Sequence, residues 1–296
     1  MRERTLHFGV GGGLAGVLTE PSPEALREGA PAIVLSNVGM HSRIGPYRMW
    51  VELSRRLASE GFLTLRFDQS GFGDSGTVPS AVGPLEAAAL EQRAAIDALA
   101  ERGATGVVLL GFCSGVDPAH AASLVDPRVR GVVYLDGYAY PTPQFFVRRW
   151  TLRFLRARTW LNAIDRRRQR LLQLKKGEAP HAPPVFDRTY PPPERLASEL
   201  RALAGRGVEM LFLWSRGREH EFNHEAQFFS MLRVPDLRGR VQVRFLDGCD
   251  HLFSTAAQRA KLFEAVTRFV VAKFGGQEAS AAAHPAAVTS PAARAR

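Results

Sequence analysis

The chain has 296 residues, 45% of them apolar and 23% charged, which excludes a disordered or collagen-like polymer and suits one large α/β unit. It has no run of the about 18 apolar residues that a membrane-spanning helix needs, and two cysteines are too few for a disulfide scaffold. The net charge of +10 would, if evenly spread, point to nucleic acid or another polyanion as partner.

The excess is not spread. From Arg148 to Lys176 there are eleven basic residues and one acid, Asp165, so this segment alone carries the +10 and the remaining 28 cations meet 28 acids. The basic character is therefore a local feature, and no nucleic-acid-reading motif accompanies it.

In chain order, Met1 to Leu18 reads as two short strands joined by a turn at Gly11-Gly12-Gly13. Glu3 and His7 and the lack of a small-residue cleavage site argue against a secretory signal, which favours a cytoplasmic protein. Pro31–Leu35 is a continuous apolar run, as a buried parallel strand requires. A helical period from Met49 stops at Gly61, and Phe62–Phe67 follows as strand. Leu85–Ala100 is an amphipathic helix, Val107–Leu110 a strand, and the residues after Gly115 a helix. Val132–Leu135, Met210–Trp214 and Val241–Leu246 are further strands, with helices at Asn223–Leu232 and Ala256–Phe274. Repeated β-α units imply a mostly parallel sheet covered on both faces.

The alternation pauses over residues 138–206. These are expected to form an inserted basic helical cap on a core made of 1–137 and 207–274, with 275–296 as a disordered tail. Val147, Trp150, Phe154, Ala157, Leu161 and Ile164 form an apolar stripe at helical spacing, expected to pack downward with arginines outward.

The strand VVLL runs directly into Gly111-Phe112-Cys113-Ser114-Gly115 and then a helix. Strand, G-x-nucleophile-x-G, helix is the nucleophile elbow, whose small residues let the chain turn sharply. The register selects Cys113 as nucleophile, above a helix N-terminus that favours its thiolate. Ser114 would lend its backbone N–H to an oxyanion hole. Leu246-Asp247-Gly248-Cys249-Asp250-His251 follows a strand late in the chain, which makes His251 the expected base. Glu219, after the strand ending at Trp214, is the first choice to orient it, with Glu221 and Asp136 as rivals; Asp250 reads as a loop brace.

These features resemble the α/β-hydrolase superfamily over Thr5 to Phe274. Phe67-Asp68-Gln69-Ser70-Gly71-Phe72-Gly73-Asp74-Ser75 is similar to that family's D-x-x-G-x-G-x-S stretch. Ser36-Asn37-Val38-Gly39-Met40 stands where the family carries its His-Gly oxyanion loop, which implies Val38 or Gly39 as the second donor. The branch it resembles is the serine aminopeptidase-like hydrolases, including those associated with bacterial exosortase systems, whereas a cysteine at the elbow resembles dienelactone hydrolase. The resemblance implies an α/β-hydrolase fold with an inserted helical cap. It implies hydrolysis or transfer of an acyl group from an ester or thioester through acyl-Cys113, with no cofactor.

The alternative is a non-catalytic binding protein on the same fold. His220-Glu221-Phe222-Asn223-His224 also matches the zinc-protease pattern H-E-x-x-H, which requires both histidines on one helix face. Here the motif starts just after a strand, so zinc ranks below the hydrolase reading and no metal is expected. The expected partners are a small acyl ester or thioester and, through the basic segment, an acidic acyl carrier protein or a membrane surface.

Overall fold

Apolar runs without polar alternation cannot face water on either side. The computed structural model, which describes residues 1–36, 41–77, 81–154 and 190–276, buries them in the centre of one sheet. The strands are β1 (Arg2–Phe8), β2 (Leu14–Glu20), β3 (Ala32–Leu35), β4 (Thr64–Phe67), β5 (Val107–Phe112), β6 (Val129–Leu135), β7 (Glu209–Ser215) and β8 (Val241–Leu246). Their order is β1-β2-β4-β3-β5-β6-β7-β8. The β1–β2 hairpin is antiparallel, as is its junction with β4, and every later pair is parallel. Gly11 and Gly12 take the left-handed backbone that turns the hairpin (φ 60° and 71°).

The helices are α1 (Met49–Ser59), α2 (Pro84–Ala100), α3 (Val116–Val125), α4 (Pro143–Phe154), α5 (Pro193–Gly205), α6 (Ala226–Leu232) and α7 (Ala256–Phe274). They divide over the two faces as strand alternation demands. Val108, Leu110 and Phe112 point with Leu211 and Leu213 to a core closed by α1 and α7. Val107 and Leu109 point with Tyr134 and Phe212 to one closed by α2, α3, α5 and α6. Among the described residues no helix is long and apolar enough to cross a membrane.

The pause in the alternation is only partly separate from the core. Helix α5 was expected in the cap, yet Leu196, Ala197, Leu200 and Leu203 are buried in the main core. A polar bridge fixes it there: His120 on α3 bonds Tyr134 Oη on β6 at 2.9 Å and Glu199 on α5 at 3.1 Å. That bond, with Arg195, holds the Glu199 carboxyl down to about 2, so it stays charged. The core boundary therefore moves back to the start of α5.

Two other expectations change. The helix placed at Asn223 begins at Ala226, because the Gln227 side chain accepts from Asn223 N and donates to the carbonyls of Glu221 and Tyr140. These bonds hold residues 221–225 outside the helix. Among the described side chains of α4, Phe145 is buried, while Val147 and Trp150 of the apolar stripe are exposed. Residues 155–189, most of the expected cap, and 277–296 of the tail lie outside the described residues.

If α5 is core, Leu200→Ala removes a fully buried side chain and lowers the unfolding free energy by about 3 kcal/mol in denaturant titration. A change below about 0.5 kcal/mol would return α5 to a loosely attached cap.

Candidate active site

Phe112 and Leu135 are register partners in β5 and β6. The next residue on each strand, Cys113 and Asp136, therefore leaves the sheet beside the other. Both turn with left-handed backbone (φ 52° and 49°), which costs a non-glycine residue about 1 kcal/mol. Beyond Cys113 the chain passes through a single tight turn, Cys113–Gly115, into α3. Gly111 permits this approach, since a Cβ there would lie 2.5 Å from Gly115 O and 2.6 Å from Val116 Cα. The thiol is half-buried. Ser114, the first residue after it, lies in the same turn.

Asp136 is fully buried. A carboxylate there must be hydrogen-bonded or lose its charge. It accepts Ser215 N–H at 2.6 Å and Ser215 Oγ–H at 2.7 Å, both from the end of β7, and meets His251 Nδ1 at 2.7 Å. Burial alone would lower the His251 pKa, but hydrogen bonds to Asp136 and Cys113 outweigh it and raise the value to about 9. With Nδ1 on Asp136, Nε2 is the nitrogen left for the thiol. The Phe112 ring packs 5.0 Å from the imidazole.

His251 comes from the loop after β8 and reaches across the end of β7 to β6. Gly217, just past β7, is what lets it through: a Cβ there would lie 2.4 Å from His251 N and 2.7 Å from its Cβ. Asp250 braces the loop by accepting from Leu252 N at 2.9 Å and Ser254 Oγ at 2.5 Å. Burial pushes the Cys249 thiol up, and its Sγ is directed at the Gln258 carbonyl.

The expected partner of His251 is corrected here. Glu219 is exposed and pairs with Arg216 at 3.1 Å, while Glu221 pairs with Arg218 and Tyr190. Asp136 holds the imidazole because it leaves the strand adjacent to that of the thiol. The sequence reading passed over Ser215, Gly217 and Phe112. A Ser-x-Gly directly after a strand that faces the His loop was the available signal for the first two.

Val38 and Gly39, the expected second oxyanion donors, lie outside the described residues. The loop beyond them is tied down by buried Asp68, which accepts the Arg43 backbone N–H and guanidinium. Gly73 of the same D-x-x-G-x-G-x-S stretch must be bare, since a Cβ there would overlap that carboxylate. His220 and His224 precede α6 and do not share a helix face; His220 is exposed beside Glu221 and His224 is buried. Among the described residues no three His, Cys, Asp or Glu side chains converge as metal ligands.

The model of the alpha/beta hydrolase family matches residues 37–287. The chain belongs to that family. Solved structures agree in fold. A hypothetical protein from Pseudomonas aeruginosa is 16% identical, with 92% of this chain and 93% of that one covered at a TM-score of 0.55. An α/β serine hydrolase without lid from Xanthomonas campestris is 14% identical over 93% and 95%, at 0.54. The esterase domain of a Rhodothermus marinus protein is 20% identical over 93% and 99%, at 0.53. No curated protein matches the chain.

The bonds at Asp136 set the charge on His251. Its NMR titration midpoint should lie near 9 in the unaltered protein, fall in Asp136→Asn and stay in place in Glu219→Gln. An unmoved midpoint in Asp136→Asn would break the pairing.

Proposed function

We propose that this α/β-hydrolase family member cleaves an ester or thioester through an acyl-Cys113 intermediate. The observation that carries the reading is one chain of contacts, Cys113 to His251 to buried Asp136, on the edge of a parallel sheet where ligands bind in this architecture.

An imidazolium with a pKa near 9 beside a thiol favours a thiolate–imidazolium pair at neutral pH. The thiolate attacks the acyl carbon, and the carbonyl electron pair moves to oxygen. Ser114 N–H, with a donor from the Ser36–Met40 loop, would stabilise that oxyanion by about 3 kcal/mol per donor. Collapse expels the alkoxide or thiolate, which takes the proton from His251. The neutral imidazole then removes a proton from water, hydroxide attacks the acyl-Cys, and the thiolate and imidazolium are restored. Asp136 keeps Nδ1 protonated throughout. Activated acyl groups suit this site because an alkoxide or thiolate competes with the Cys113 thiolate as leaving group far better than an amine anion does. The Rhodothermus marinus esterase domain shares the fold, which supports an ester substrate.

Intact-mass spectrometry after mixing with p-nitrophenyl esters and acyl thioesters should show one acyl adduct on Cys113, absent from Cys113→Ala. A folded wild-type protein that forms no adduct with any of them would instead be a binding protein on a hydrolase fold. Because the imidazolium is the proton donor, kcat/KM should hold through neutral pH and fall above about pH 9 as His251 loses its proton.

A further inference from the structure

Helices α2 and α3 pack side by side over one face of the sheet, and a groove runs between them. Leu85, Leu90 and Val125 line it and are 53%, 47% and 64% exposed. Half-buried Ala89 and Ala121 line it as well and leave it shallow enough for a second helix. Single exposed apolar side chains are ordinary, but three large ones on one groove mark a contact surface.

Glu86 and Arg93 line the same groove and are exposed. They stand on one stripe of α2 two turns apart, about 10.5 Å along the axis, so they cannot pair with each other. Neither makes an ion pair among the described residues. Arg93 reaches buried Asp126 only through its field, and Asp126 is itself bonded to Arg128. An acid and a base are thus held open at the two ends of an apolar patch.

We propose that this groove is the interface of a two-fold homodimer, in which α2 packs antiparallel on α2 of a second copy. The pattern is its own complement. With the axis between Ala89 and Leu90, Glu86 faces Arg93 of the partner subunit, and Arg93 faces Glu86 of the partner subunit. Leu90 meets Leu90 of the partner subunit at the axis. The small side chains of Ala89 and Ala121 allow an ordinary helix separation of about 8–10 Å. A two-fold axis repeats every contact, so one acid and one base give two ion pairs. A partner of a single charge sign would answer one end of the patch and oppose the other. The chain's own residues 277–296 contain no Leu, Ile, Phe, Met or Trp to fill it.

Sedimentation of the full chain over a concentration series should show a monomer–dimer equilibrium. Arg93→Glu sets like charges against each other across the axis and should raise the dimer dissociation constant about a hundredfold or more, as should Glu86→Arg. An equimolar mixture of these two variants has opposite charges facing again and should form a heterodimer. The double variant E86R/R93E should recover a homodimer for the same reason. Unchanged circular-dichroism spectra will show that these exposed substitutions leave the fold intact. The proposal is overturned if the wild type stays monomeric at every concentration, if Arg93→Glu dimerises as the wild type does, or if the mixture fails to associate. Dimerisation gained only after residues 277–296 are removed would also overturn it and give the groove to the chain's own C-terminal segment.

Discussion

A carboxylate with no exposed surface must be hydrogen-bonded, and Asp136, at the end of β6, is answered from two neighbouring strand ends at once. Its own backbone ends β6, Ser215 at the end of β7 supplies an N–H and a hydroxyl, and the loop after β8 supplies the imidazole. The buried carboxylate therefore acts as the knot that gathers three strand ends onto the thiol at the end of a fourth. Without it, His251 would have no reason to cross β7, and the buried Ser215 hydroxyl would lose its acceptor. Fold and site meet at this one group.

The sheet was legible because burial on both faces leaves an unmistakable trace. PAIVL, VVLL and MLFLW carry no polar alternation, and each became a central strand. The elbow was legible for a similar reason, since Gly111 and Gly115 around Cys113 reflect backbone crowding, which is local. The partner of His251 was not. Glu219 and Asp136 both follow apolar strands, and only strand order, a non-local property, puts Asp136 next to the thiol and leaves Glu219 with Arg216. Helix α5 shows the same limit: its sequence is as amphipathic as a cap helix, and the bridge that seats it, Glu199 to His120 to Tyr134, spans three distant segments.

The charge looks different once located. Around the body, cations are matched: Arg43 to Asp68 and Asp74, Arg128 to Asp97 and Asp126, Arg201 to Asp236. Asp68 and Asp126 are buried, whereas the exposed Arg201–Asp236 pair contributes little to stability; together such pairs keep the field of the body small. Against that balance, the net +10 of the sequence is carried by residues 148–176 alone.

Cys113 and Asp136 step off register-paired residues of adjacent parallel strands. Their separation is thus fixed by the backbone ladder itself, the least deformable ruler a protein has. The imidazole is different, since it is carried in on a loop threaded over a bare glycine. Of the three groups, two are mounted on the chassis and one on an arm. Anything that adjusts this site, by temperature or by contact, has a single lever to move.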